Sequence, residues 1–300
     1  MIAIDLGSNT LRVLAYDCKS KQQIFVYEKV VKTADGLNSS GMINAQAVCR
    51  VINAIQIAQS QIDFSEHEIK AVTTEAIRSA SNATDVLKEI QEVTGISFEI
   101  ISGKEEARLT LLAVKERLHR LKYASDTFVL VDIGGGSTEI IFHYPHEVIS
   151  RSFPVGIVTM AQRYGDLESL KQALSKEMFN MQMFCTELFA TKGDPKAFVA
   201  TAGTPTTVAA MKMGMNYETY DASKINGSIL EKNELNFYLH KLLAMPFEER
   251  EIAVGIGRSD LIAAGILIYE QLFTILEASS CVIIDDGLRE GVALEMCHQN

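Results

Sequence analysis

The residues best suited to chemistry lie in two stretches that read alike. Residues 2–17 run IAIDLGSNTLRVLAYD, and residues 129–144 run VLVDIGGGSTEIIFHY. Aligned on Asp5 and Asp132, each gives an apolar strand, an Asp, an aliphatic residue, a Gly, small residues, Ser or Thr, and a second apolar strand. Glycine in such a turn tolerates positive φ and lets backbone come close to a ligand. Successive N–H groups then point outward together and form an anion-binding concavity. Gly7, Ser8, Asn9 and Thr10 would cradle phosphate in the first copy; Gly134, Gly135, Gly136, Ser137 and Thr138 would do so in the second. One such loop reads equally well as an ordinary hairpin turn. The repetition is what points to phosphate.

The copies differ at one informative place: Arg12 in the first corresponds to Glu139 in the second. Asp5, Asp132 and Glu139 thus put three carboxylates near anion nests, which is repulsive unless a cation lies between. Mg²⁺ or another divalent cation suits this, because it takes a few carboxylates together with waters and phosphate oxygens. The alternative for Asp5 and Asp132 is a structural Asp capping each turn.

Other residues supplement the loops. In ISGKEEARLTLLAV, Ser102 and Glu105 match a capping box, which leaves Glu106 near the apolar stripe of its helix, at a rim or facing a cleft. Arg78 sits on a short helical turn after a strand, either as an anion contact or as a surface arginine. Thr204 reads as an N-cap followed by Pro205 at the first helical position, and Gly203 permits close approach of an anion to that helix start. Arg258 and Arg289 each stand near a helix start, where the dipole disfavours a cation, so they point weakly to an anionic partner. His143-x-x-His146 brackets a proline in a turn and is not read as a metal site; Met178, Met181 and Met183 read as core or domain-interface filler.

These residues need a scaffold with strand ends and helix starts at one side. After each hairpin the pattern continues with a third strand (Ile24–Val31; Glu147–Ser152) and then alternates helix and strand. In the first half these are a helix at Ala45–Ile62, a strand at Ile69–Thr73, a helix at Asp85–Thr94, a strand at Ser97–Ile101 and a helix at Gly103–Lys122. In the second they are helices through 154–190, a strand at Ala197–Thr201, further helices, a last strand at Cys281–Ile284 and a final helix at Gly287–Met296. Three meandering strands followed by alternating α and β make a mixed-sheet α/β domain. Two in tandem, 1–124 and 125–300 with a boundary near Tyr123–Asp126, would leave an interdomain cleft into which both loops open. The final helix could pack back on the first domain.

Composition bounds the partners. The chain has 300 residues, 28 Lys plus Arg against 38 Asp plus Glu, a net charge of −10 and 47% hydrophobic residues. That is long enough for a large core. The acidic balance argues against a broad face for DNA or RNA duplex, yet it does not forbid a small basic pocket. Five cysteines without CxxC spacing argue against a disulfide framework or a zinc ribbon, and each reads as a small buried hydrophobe. The longest strongly apolar stretch, Leu261–Tyr269, falls short of the ~20 residues needed to span a bilayer, so a cytoplasmic protein without membrane contact is expected.

Together the motifs DLGSNTLR, R-x-A-x-N-A at Arg78–Ala83, ISGKEEA, DIGGGSTE and LREG resemble the exopolyphosphatase / guanosine pentaphosphate phosphohydrolase (Ppx/GppA) family. The resemblance covers essentially the whole chain. It implies two tandem ribonuclease-H-like domains of the actin-like ATPase superfamily and hydrolysis of a terminal phosphate from inorganic polyphosphate or pppGpp. Carried over by motif, Glu106 is the general base, Asp132 and Glu139 are tied to Mg²⁺ and water, and Arg12, Arg78, Arg258 and Arg289 are phosphate contacts. Thr201-Ala202-Gly203-Thr204 replaces the family's small-Ser-Gly-Thr loop. The chain resembles the short, two-domain form, without the HD-type extension of longer members. The resemblance leaves open polyphosphate against guanosine penta- or tetraphosphate, and whether the protein is a homodimer. An ATP-dependent kinase or ATPase of the same superfamily, and a non-catalytic (p)ppGpp sensor, are the competing readings.

Overall fold

A computed structural model describes residues 1–123 and 125–299. Ala124, where the expected first domain closes, and Asn300 lie outside the described residues. The chain divides into two compact units, Met1–Ala113 with Gly287–Asn300, and Val114–Asp286. The units part between Ala113 and Val114, and the chain's last segment belongs to the first unit.

The first unit contains β1 (Ile2–Leu6), β2 (Thr10–Asp17), β3 (Gln22–Val30), α1 (Leu37–Ser40), α2 (Ala45–Gln61), β4 (Ile69–Thr73), α3 (Glu75–Ser79), α4 (Ala83–Thr94), β5 (Phe98–Ile100) and the start of α5 (Gly103–Arg120). The strands order as β3-β2-β1-β4-β5. β1 pairs antiparallel with β2 and parallel with β4. All of β1 is buried, as expected for a central strand covered on both faces.

The second unit contains β6 (Phe128–Ile133), β7 (Thr138–His143), β8 (Val148–Phe153), α6 (Ile157–Tyr164), α7 (Leu167–Glu177), α8 (Phe179–Lys192), β9 (Phe198–Thr201), α9 (Gly203–Lys212), α10 (Ala222–Ile225), β10 (Ile229–Glu231), α11 (Lys232–Ala244), α12 (Phe247–Val254), α13 (Ser259–Ile275) and β11 (Ser280–Ile283). Read from β8, its sheet runs β8-β7-β6-β9-β11-β10. The first five strands repeat the order and polarity of the other sheet. β10 is an extra antiparallel edge that sequence reading missed, because three residues carry no alternation to recognise. The core gathers around α13, where Tyr269 and Phe273 are fully buried.

The last helix, α14 (Leu288–Gln299), joins the first unit because its apolar face needs a sheet. Leu288, Val292, Ala293 and Met296 pack with Ala3, Leu14, Val72 and Leu109. Gly291 makes this possible: a Cβ there would lie 2.0 Å from the Leu109 carbonyl oxygen, so the two helix backbones touch. Farther along, Cys297 forms a disulfide with Cys18, with Cα atoms 5.4 Å apart. This corrects the expectation of buried, unpaired cysteines. Cys49 is exposed. Only Cys185 and Cys281 match the expectation, and burial pushes the Cys185 thiol up to about 12. Met178 and Met181 are core, whereas Met183 is 52% exposed.

Among the described residues, no single helix is long and apolar enough to cross a membrane. α12 and α13 together have the length and composition, but they bend by 68°, and α13 is largely buried in the core.

Candidate active site

In the first unit, β1 and β2 turn through residues 7–10. Gly7 N–H donates to the Thr10 carbonyl at 3.0 Å, while the Ser8 and Asn9 carbonyls accept from Ala34 N–H and from Val31 and Lys32 N–H. The segment after β3 thus holds the turn from behind. Asp5 and Arg12 are cross-strand partners, and Arg12 Nη1 stands 3.7 Å from Asp5 Oδ2. Arg12 Nε also donates to Glu28 Oε2 at 3.1 Å. Burial works to lower the Arg12 pKa, but the carboxylates of Glu28 and Asp5 outweigh it and hold the guanidinium above its ordinary value.

Arg289 reaches the same acid, with Nη1 3.9 Å from Glu28 Oε2. Two arginines expected separately from sequence therefore meet around Glu28, a residue sequence reasoning missed. Cross-strand alternation could have found it, because Glu28 is the register partner of Arg12.

Arg78 and Glu106 form a second group in this unit. Arg78 Nη1 donates to the Ile101 carbonyl at 2.7 Å and stands 3.8 Å from Glu106 Oε2. Its Nη2 donates to Glu75. Glu106 lies in the first turn of α5 and is 9% exposed, so its carboxylate faces inward. Ser102 caps the helix, its Oγ accepting from Glu105 N–H at 3.2 Å, while the Glu105 carboxylate faces Arg108 outside.

In the second unit the turn 134–137 follows the same plan. Gly134 N–H donates to the Ser137 carbonyl at 2.9 Å, and the Gly134 and Gly135 carbonyls accept from the first N–H groups of α6. Gly156 sits so close that a Cβ there would fall 2.4 Å from the Gly135 oxygen. Asp132 and Glu139 are cross-strand partners. Glu139 is 1% exposed, and its Oε1 accepts from Ser137 Oγ at 2.8 Å and Ser152 Oγ at 2.7 Å. Ser152 escaped sequence reasoning; its signal is a polar residue opposite Glu139 on β8. Thr138 is buried and donates its hydroxyl to the Val155 carbonyl, anchoring β7 to the segment before α6.

Arg258 lies over the start of α9. A Cβ on Gly203 would meet its Nη2 at 2.7 Å, and Nη2 donates to Thr207 Oγ1 at 3.5 Å. Gly203 and Arg258 are thus brought together. Thr204 is not the N-cap expected from sequence: Ala202, with φ of 70°, precedes the helix. The chain turns one residue pair earlier, and Thr204 is buried against Gly265, where a Cβ would fall 2.1 Å from its hydroxyl oxygen. A cavity of about 920 Å³, lined by residues including Lys171, Asn236 and Glu270, lies among α7, α11 and α13 and contains none of the expected site residues.

Among the described residues, no group of three or more His, Cys, Asp and Glu side chains is arranged to hold a metal ion. Asp132 opposite Glu139 still fits Mg²⁺, which takes few protein ligands and fills its octahedron with water and phosphate oxygens. Asp5 has a cation beside it already, in Arg12.

Residues 14–300 match the Ppx/GppA phosphatase family. The chain belongs to this family. It is 25% identical to Exopolyphosphatase 2 of Mycobacterium tuberculosis over 315 residues, covering 98% of this chain and 97% of that protein. Among solved structures, the Ppx/GppA family member of Aquifex aeolicus is 27% identical with a TM-score of 0.73, covering 99% of this chain and 97% of its own. An exopolyphosphatase of Cytophaga hutchinsonii has a TM-score of 0.87 at 22% identity, with 99% and 97% covered, a likeness of fold. The two mixed sheets of this Ppx/GppA chain are those of the two-domain, actin-like α/β fold.

Proposed function

We propose that this Ppx/GppA chain hydrolyses a terminal phosphoanhydride, releasing orthophosphate from inorganic polyphosphate or from pppGpp. The observation that carries the reading is Glu106: an almost buried carboxylate, in the first turn of a helix, 3.8 Å from Arg78. A carboxylate held in from solvent beside a cation can orient a water and take its proton. Arg78 and Arg12 would neutralise phosphate oxygens, and the turns at 7–10 and 134–138 would hold phosphate on backbone N–H groups. Arg258 beside Gly203, and Arg289 beside Glu28, would contribute further positive charge.

Asp132 and Glu139 would hold Mg²⁺, with Ser137 and Ser152 fixing the Glu139 carboxylate. Such an ion, when bound, supplies charge neutralisation to the transferred phosphoryl group. The rest is positioning and electrostatic stabilisation, which dominate phosphoryl transfer. The relatives named exopolyphosphatase favour polyphosphate as the first substrate to try.

The test is orthophosphate release by the purified protein from long polyphosphate, short polyphosphate, pppGpp and ATP, with Mg²⁺ and with EDTA. Release from polyphosphate or pppGpp that EDTA abolishes is expected. Glu106→Gln should lose on the order of 10²–10³ in kcat while still binding substrate. Transfer from ATP to a sugar, or tight (p)ppGpp binding without release, would overturn the hydrolase reading. Near-wild-type release by Glu106→Gln would overturn the base.

A further inference from the structure

Glu75 is an acid with no step of its own in the proposed reaction, placed against an arginine that has one. It opens α3, a single turn after β4, and Arg78 follows on the same side three residues later. Glu75 uses both oxygens: Oε2 accepts from Arg78 Nη2, and Oε1 accepts from the Ser79 hydroxyl. The guanidinium is therefore held at two points, by Glu75 through Nη2 and by the Ile101 carbonyl through Nη1 at 2.7 Å. Nη1 is also the atom nearest Glu106, 3.8 Å from Oε2.

Arg78 and Glu75 remain 26% and 27% exposed at their side chains. An ion pair this open to water adds little to stability. What it changes is direction. A free arginine side chain loses much rotamer freedom when it grips a ligand, and holding it beforehand in the binding pose removes that cost. A planar guanidinium pinned at two of its nitrogens has its orientation set before any anion arrives.

We propose that Glu75 is a positioning residue that holds Arg78 in the pose that receives phosphate beside Glu106. This rests on the reading of Arg78 as a phosphate contact and Glu106 as the base. The alternative is that Glu75 competes with phosphate for Arg78. The two roles have opposite signs: removing an aligner weakens binding, whereas removing a competitor strengthens it.

The experiment is a double-mutant cycle between Glu75 and Arg78. KM and kcat for tripolyphosphate hydrolysis are measured for the wild-type chain, Glu75→Ala, Glu75→Gln, Arg78→Ala and Glu75→Ala with Arg78→Ala. Binding of tripolyphosphate by calorimetry repeats the cycle without turnover. Glu75→Ala should raise KM and Kd about tenfold, the effect of one lost charge-assisted hydrogen bond, with a smaller change in kcat. Glu75→Gln keeps an acceptor oxygen and should recover most of the binding, which a role in net charge alone would not allow. In the Arg78→Ala background, Glu75→Ala should have no further effect. Tighter binding by Glu75→Ala overturns the proposal in favour of competition. Additive losses in the cycle overturn it by placing the action of Glu75 elsewhere. Wild-type binding without hydrolysis overturns the hydrolase reading, and the calorimetric cycle then decides Glu75 alone. A wild-type chain that neither binds nor hydrolyses tripolyphosphate overturns both.

Discussion

The hairpin turns at 7–10 and 134–137 share one backbone plan and differ in charge. Each is closed by a glycine N–H donating to the carbonyl three residues on, from Gly7 to Thr10 and from Gly134 to Ser137. Each has two turn carbonyls engaged by the segment that follows the third strand, Ser8 and Asn9 in the first and Gly134 and Gly135 in the second. At the matching cross-strand pair, however, the first has Asp5 opposite Arg12 and the second has Asp132 opposite Glu139. Acid opposite base is satisfied within the fold. Like charges placed directly opposite disfavour each other, and on the proposed function a divalent cation between Asp132 and Glu139 would offset that. On the proposed function, one architecture would serve two tasks: Arg12 toward an anion, and Asp132 with Glu139 toward a metal.

The sharpest way to break this comparison is to remove the charge at Glu139. Glu139→Gln keeps an oxygen to accept from Ser137 and Ser152 but leaves Asp132 without its like-charged neighbour. Activity with Mg²⁺ should fall on the order of 10²–10³, while the unfolding temperature holds or rises. A parallel fall in activity and stability would instead make Glu139 a structural residue.

The hairpins also differ in what lies behind them. The first unit is tied by Cys18 and Cys297, 279 residues apart in sequence. Cys18 follows β2 directly, so the bond pins α14 to the strand that carries Arg12. Cys18→Ser should destabilise the chain by about 2–4 kcal/mol, read as a lower unfolding midpoint that dithiothreitol reproduces in the wild-type chain. The buried thiols of the second unit, Cys185 and Cys281, should stay unreactive to thiol reagents in the native state. Equal midpoints for wild type and Cys18→Ser would remove the tether from the account.

Much of the hairpin geometry is legible in the sequence, because a strand–turn–strand unit is local and its glycines and alternation are written in consecutive residues. Asp5, Arg12, Asp132 and Glu139 align position by position between the two stretches. The distance of Glu106 to Leu109 places it near the apolar stripe of its helix, with a rim and an inward position both open until the structure shows it 9% exposed. The mixed α/β architecture follows from the same alternation. What connects distant segments is not legible. Nothing in the spacing of Cys18 and Cys297 signals a bond, because that pairing depends on α14 returning to β2. Thr204 looks like a cap by residue type, yet the turn is made by Ala202 in a positive-φ conformation that composition does not announce. Glu28, Glu75 and Ser152 look like ordinary strand and helix polar residues; their partners emerge only once register is known.

Arg12 offers the reciprocal test to Glu139. Arg12→Gln removes the arginine paired with Asp5 and leaves Glu28 with Arg289, so the cross-strand pair of the first hairpin loses its positive charge. KM should rise about tenfold, the loss of one charge-assisted contact to phosphate, with little change in the Mg²⁺ concentration needed for half-maximal rate. A shift in metal requirement as large as that of Glu139→Gln would erase the division of labour between the two turns.

The finest distinction lies in how each acid is held. Asp5 is steadied by an arginine, Glu139 by two hydroxyls on the same oxygen. Hydroxyl donors fix the direction of a carboxylate without themselves adding charge, which on the proposed reading suits a metal ligand. Ser152→Ala removes one of the two donors and leaves Ser137 in place. One such bond contributes about 1 kcal/mol, so the variant should need about five times more Mg²⁺ for half-maximal rate, with kcat at saturating metal near that of the wild type. If kcat instead falls and metal affinity stays fixed, Ser152 acts on the reaction rather than on the ligand, and the hydroxyl pair is not what separates the second hairpin from the first.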